Sequence, residues 1–144
     1  MKFTTKILAV SLVLVAGLAV AKDGVTDPTV MAREALMGVI GKNTGILGKM
    51  AGGEVAFDAA AAAAAKADLA AAASEIAAKF EPQATDPLMG AKPEIWTNWA
   101  DFVVKADGLK AAAEALDATT VDGVKAGMAG IGGACKACHS VYRL

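Results

Sequence analysis

Residues 120–142 read TVDGVKAGMAGIGGACKACHSVY. Val121, Val124, Met128, Ile131, Cys135, Cys138 and Tyr142 recur three and four apart, the spacing that lines one face of an α-helix. Thr120 stands where an N-cap is needed, so the stretch predicts a helix from about Val121 to Tyr142 with one inward seam. Both cysteines of the chain lie on that seam. One seam must be buried against others, so the rest of the chain has to supply partner helices.

It supplies three. Thr26-Asp27-Pro28 places a capping carboxylate before a proline at the first helical position, and Gly52-Gly53 stops that helix after about Ala51. Asp58 caps a second helix that opens with seven alanines, Ala59 to Ala65, and is expected to reach about Lys79. Alanine loses no side-chain entropy in a helix. Leu69, Ala72 and Ile76 carry a stripe past the alanines, which argues against a disordered low-complexity tract. Residues 81–92 hold Pro82, Pro87 and Gly90 and form the one long connection. Pro93 opens a third helix expected to run to about Asp117, with Ile95, Trp99, Phe102, Ala106, Leu109, Ala113 and Leu116 on its seam. Four such helices joined mostly by short links predict an all-α, antiparallel up-and-down four-helix bundle.

Residues 1–21 read as a secretory signal peptide. Lys2 and Lys6 precede an apolar run, Ile7 to Val20, too short for a comfortable membrane span, and Ala19-Val20-Ala21 offers a small-x-small cleavage site. An uncleaved anchor is the alternative. Cleavage makes residues 22–144 the functional domain, a soluble protein of the periplasm. From residue 22 the chain has 12 basic and 15 acidic residues, a net charge of −3. That balance is a poor footprint for nucleic acid, which calls for a basic stripe.

The chemistry concentrates at Cys135-Lys136-Ala137-Cys138-His139, a C-x-x-C-H motif of the kind that attaches haem c. On a helix, residues three apart share a face, so both thiols can reach the two vinyl groups of one porphyrin. His139, four after Cys135, can reach its iron from the same side. A redox dithiol, a structural disulfide and a zinc site are the rivals. Thioredoxin-like motifs sit in a βαβ context that the sequence lacks. Zinc wants about four ligands, and two cysteines plus the only histidine make three. A disulfide leaves His139 without a role.

With one histidine, bis-histidine ligation is excluded. Val30, Arg33, Met37, Ile40, Thr44 and Leu47 form the seam of the first helix, and Met37 is the candidate for the opposite side of the iron. Core packing is the commoner fate of methionine. Arg33 puts a charge on that seam, which is costly unless paired. A haem propionate one turn from Met37 would pair it; otherwise the side chain reaches water from the seam edge.

The chain resembles the class II cytochromes c, which comprise the cytochromes c prime and the low-spin cytochrome c-556 group. The similarity runs over residues 33–143. It rests on Arg33-Glu34-Ala35-Leu36-Met37, residues 48–58, Lys92-Pro93-Glu94-Ile95-Trp96, Phe102, and the stretch from Gly132 through the C-x-x-C-H to Tyr142-Arg143. The resemblance implies a four-helix bundle with one covalent haem and His139 as proximal iron ligand. It also implies an arginine near a propionate at Arg33 and a distal side chain at Met37. The fourth helix departs from the family in its glycines (Gly123, Gly127, Gly130, Gly132, Gly133), small enough for helices and a flat porphyrin to approach closely.

Two functions follow. A one-electron carrier has Met37 and His139 as constant axial ligands and works with redox partner proteins. A gas-binding protein for nitric oxide or carbon monoxide keeps the iron five-coordinate, with Met37 and Leu36 as an apolar shield. An enzyme such as a peroxidase would want distal acid/base groups, and there is no distal histidine, so no enzymatic activity is expected. The resemblance is also compatible with a homodimer through the first two helices.

Overall fold

A computed structural model describes residues 24–144, so the segment read as a signal peptide lies outside the described residues. The elements are α1 (Pro28–Gly52), α2 (Ala59–Ser74), α3 (Ile76–Phe80), α4 (Glu94–Thr97), α5 (Trp99–Ala115) and α6 (Val121–Tyr142). The long helices α1, α2, α5 and α6 form a square in which each packs on two neighbours: α1 on α2 and α6, α5 on α2 and α6. None of the described helices is long and apolar enough to cross a membrane.

Local chemistry sets the ends. The Asp27 carboxylate accepts from the amides of Thr29 (2.8 Å) and Val30 (3.0 Å). Gly53, at φ 75°, turns the chain out of α1 while its N–H and that of Glu54 bond to the carbonyls of Met50 and Lys49. Asp58 caps α2 through Ala61 N–H, and Thr120 caps α6 through Gly123 N–H. The expected core positions Leu69 and Ala72 of α2 and Ile76 of α3 are buried, and the alanine run is helical.

Two helices are shorter than expected. The second breaks at Glu75 before resuming as α3. The preceding Ser74 hydroxyl donates to the Ala71 carbonyl at 2.6 Å, a back-bond that bends helices. The third breaks at Asn98 (φ −118°, ψ 39°), and Leu116, with ψ 128°, has left it before Asp117. Leu116 still packs: it is buried beneath the turn into α6.

Several devices fasten the long connection, and they matter to the site. Asp86 is buried, and its carboxylate accepts from the amides of Thr26 (2.9 Å), Asp27 (3.2 Å) and Leu88 (2.9 Å) and from the Thr26 hydroxyl (3.2 Å). These bonds hold the carboxyl down at about 2. At the other end Lys92 N–H donates to Tyr142 O (2.9 Å) and Leu144 N–H to Gly90 O (3.0 Å). The connection is thereby laid against the start of α1 and the end of α6.

Candidate haem site

Met128 and Gly48 meet across the α1–α6 interface: a Cβ added at Gly48 would lie 3.7 Å from Met128 Cε. The two helices run antiparallel, so one turn or more further up, α1 presents Gly41 and Met37 where α6 presents Cys135, Cys138 and His139. A cavity of about 490 Å³ opens there. Its walls include Met37, Phe102, Cys135, Cys138, His139 and Arg33, six of the residues singled out from the sequence. The lining is mostly apolar, with Val30, Ile40, Ile76, Phe80, Ala106 and Leu109 among its members, which is the usual make-up of a cofactor pocket.

The donor set fits haem c and does not fit the rivals. Cys135 and Cys138 are free, half-buried thiols on one helix face. Burial pushes both thiols up in pKa, with Lys105 opposing the shift at Cys138. A redox dithiol needs the reverse, a stabilised thiolate. Among the described residues no three His, Cys, Asp or Glu side chains gather as a metal cluster, the arrangement that a zinc site calls for. Burial, and then the charge of Arg143, lower the pKa of His139, keeping a neutral imidazole with a lone pair to give. Thr44 Oγ1, on the same wall, is buried without a protein partner, so protein atoms alone do not complete the cavity.

Met37 is half-buried and packs against the core as well as lining the cavity. Leu36, expected beside it as a shield, is instead in the core and absent from the lining. Adjacent helical residues point about 100° apart, and here Met37 turns to the cavity while Leu36 turns to the core. Arg33 is only 3% exposed and does not reach water from the seam edge. Its Nε donates to Lys79 O (3.1 Å), Nη1 to Ala84 O (3.1 Å) and Nη2 to Pro82 O. The guanidinium carbon sits 5.1 Å from the Phe80 ring centre and 5.2 Å from that of Trp96. Three of the five N–H donors thus hold the 79–84 wall, and two remain.

Phe102 is buried at the centre of an aromatic group, with Phe80, Trp99 and Tyr142 at centroid distances of 5.3, 5.5 and 5.5 Å. The Tyr142 hydroxyl donates to Asp101 Oδ2 at 2.6 Å, which pushes the phenol up to about 12. Lys105 donates to the other oxygen of the same carboxylate at 3.1 Å. Tyr142 therefore ties the last turn of α6, which carries His139, to the first turn of α5. Lys105 and Met89 also line the cavity and were not singled out from the sequence. The signal for Met89 was present: Leu88-Met89 is an apolar pair in an otherwise polar, proline-interrupted connection.

Two of the α6 glycines answer to helix packing rather than to a porphyrin. A Cβ at Gly127 would meet Leu116 Cγ at 2.8 Å, and one at Gly123 would meet Asp117 O at 2.7 Å. Gly132 and Gly133 face open space.

The sequence profile of the family Cytochrome C' matches residues 28–143. Cytochrome c-556 of Agrobacterium tumefaciens (strain apple 185) is 40% identical over 117 residues, covering 78% of this chain and 92% of that protein. Cytochrome c-554 of Cereibacter sphaeroides is 33% identical over 146 residues, 94% of each chain. Among solved structures, the nitric oxide complex of a cytochrome c prime mutant from Alcaligenes xylosoxidans superposes with a TM-score of 0.72 at 28% identity, over 80% of this chain and 93% of that one.

Proposed function

Because the chain belongs to the cytochrome c prime family and is therefore a haem c protein with one covalent haem, we propose that it is a periplasmic one-electron carrier. In this reading Cys135 and Cys138 bind the porphyrin, His139 ligates its iron from α6 and Met37 from α1. The observation that carries it is the placement of Met37, a thioether on α1, in one cavity with the imidazole and both thiols of α6. The bound group supplies an iron that cycles between ferric and ferrous states.

The residues of the chain do the rest. A histidine and a methionine held by two packed helices keep the coordination the same in both oxidation states, which favours transfer with little reorganisation. The apolar walls exclude water, and the thioether raises the potential. Arg33 holds the 79–84 wall and keeps two donors for a propionate. The reading includes no enzymatic activity. Export rests on residues 1–21, with a mature start at Lys22.

Carbon monoxide addition to the ferrous protein tests the reading. The carrier leaves its spectrum unchanged on adding the gas, whereas Met37→Ala binds it. A second reading is favoured by the likeness to the nitric oxide complex of the Alcaligenes protein. There Met37 packs over an open iron, and the unaltered protein binds carbon monoxide at once.

A further inference from the structure

Tyr142 is the chain's only tyrosine. It is 3% exposed and lines the cavity that accepts the haem, three residues after His139 on α6. Its hydroxyl donates to Asp101 Oδ2 at 2.6 Å, with Asn98 O farther off at 3.4 Å. Lys105 occupies Oδ1 of the same carboxylate at 3.1 Å, so Oδ2 is left to the phenol. The phenol and Lys105 together hold the Asp101 carboxyl below its ordinary range, so it is ionised near neutral pH and able to accept a proton. The Asp101 side chain is 52% exposed and can pass a proton on to water. A buried phenol thus faces the haem cavity on one side and a solvent-connected base on the other.

The other oxidisable rings are less well placed. Neither Trp96 nor Trp99 lines the cavity. The Arg33 guanidinium carbon sits 5.2 Å from the centre of the Trp96 ring, and a cation there opposes removal of an electron. Trp99 lies beyond Phe102, which stacks on it at 5.5 Å and meets Tyr142 edge-on at 5.5 Å.

We infer that Tyr142 and Asp101 form a proton-coupled electron donor that returns an electron to the haem after attack by a peroxide. The inference needs the covalent haem and not the carrier reading. Hydrogen peroxide takes up two electrons and two protons and leaves as two waters. A ferric haem that supplies both electrons is left two short. Tyr142 returns one of them: an electron passes from the phenol to the haem, and the O–H proton moves along the 2.6 Å hydrogen bond to Asp101 Oδ2. The products are a neutral phenoxyl radical, a protonated Asp101 and a haem one electron short. Oxidation makes a phenol a strong acid, so electron loss without a proton acceptor would leave a cation in a buried, mostly apolar place, which is costly. The carboxylate removes that cost in the same step. A one-electron reductant, with the proton held by Asp101, then restores the phenol.

The test uses the haem-loaded Met37→Ala protein, in which the iron is open to peroxide whether Met37 normally ligates or only packs. Its outcome is therefore separate from that of the carrier reading. The ferric protein is mixed with hydrogen peroxide, frozen within milliseconds and examined by electron paramagnetic resonance. A neutral phenoxyl signal is expected, and with one tyrosine in the chain it belongs to Tyr142. Its hyperfine pattern should collapse when the same protein is made with ring-deuterated tyrosine, a readout that needs no change at position 142. Tyr142→Phe, which keeps the ring against Phe102, should abolish the signal. Asp101→Asn should slow its appearance about a hundredfold, the scale of a lost proton acceptor, and Asp101→Glu should restore most of the rate. A tryptophan radical in place of the phenoxyl, or no organic radical at all, overturns the inference. So does an unchanged rate in Asp101→Asn, which would leave the carboxylate no part in the step.

Discussion

Arg33 shows how far a seam pattern reaches at the scale of one residue. Its position on the buried face of α1 is readable from spacing, and so is the need for a partner. The partners themselves are some fifty residues away: the Lys79 carbonyl at the end of α3, and those of Pro82 and Ala84 in the irregular segment after it, which no periodicity describes. Arg33→Ala removes the guanidinium donors to these carbonyls and is expected to lower unfolding free energy by roughly 2–4 kcal/mol. Arg33→Lys should restore little, because an ammonium cannot reproduce the fork. Urea denaturation of the three proteins checks both statements. Asp86 gives a pH signature. Its folded pKa lies at about 2, below the ordinary 3.8, so its contribution is complete above that ordinary value and is lost as pH falls from about 4 through about 2. Asp86→Asn should flatten that part of the acid-unfolding curve, followed by circular dichroism. An unchanged acid limb would mean that the latch to Thr26 and Asp27 contributes nothing.

At the scale of the element, helix ends were legible and helix interruptions were not. Asp27, Asp58 and Thr120 cap where residue type and spacing place them. The breaks at Glu75 and Asn98 have no proline or glycine to announce them. One follows from a serine back-bond and the other from a backbone conformation that only the fold reveals. Leu36 and Met37 make the same point about faces. The sequence places both near the iron, but only Met37 lines the cavity and Leu36 is buried in the core. The glycines of α6 divide by surroundings in a way that composition hides. Gly127→Ala drives a methyl into Leu116 and should destabilise by roughly 1–3 kcal/mol. Gly132→Ala meets nothing and should stabilise by about 0.5–1 kcal/mol through helix propensity. Thermal unfolding of the pair should move in opposite directions.

For the whole molecule, the square of four helices was legible because each element has one buried stripe and the links are short. The site was legible because three of its residues stand together in a single motif. The connection was read as a linker, yet Met89, Gly90 and Ala91 line the cavity with the helices. Its role depends on contacts with Thr26 just before α1 and with Leu144 just after α6. Mass spectrometry of the exported protein should give the mass from Lys22 onward plus one haem, and Cys135→Ala with Cys138→Ala should remove the covalent haem. A full-length mass would overturn the processing, and covalent haem in the double variant would overturn the attachment.

The carrier reading depends most on the bond between Met37 and the iron. The measurement that addresses it directly is the near-infrared absorption of the ferric protein, where a methionine sulfur bound to haem iron gives a charge-transfer band. The account predicts that band in the unaltered protein, with a six-coordinate low-spin spectrum, and its loss with conversion to high spin in Met37→Ala. A high-spin spectrum without the band in the unaltered protein, changed little by Met37→Ala, would contradict it.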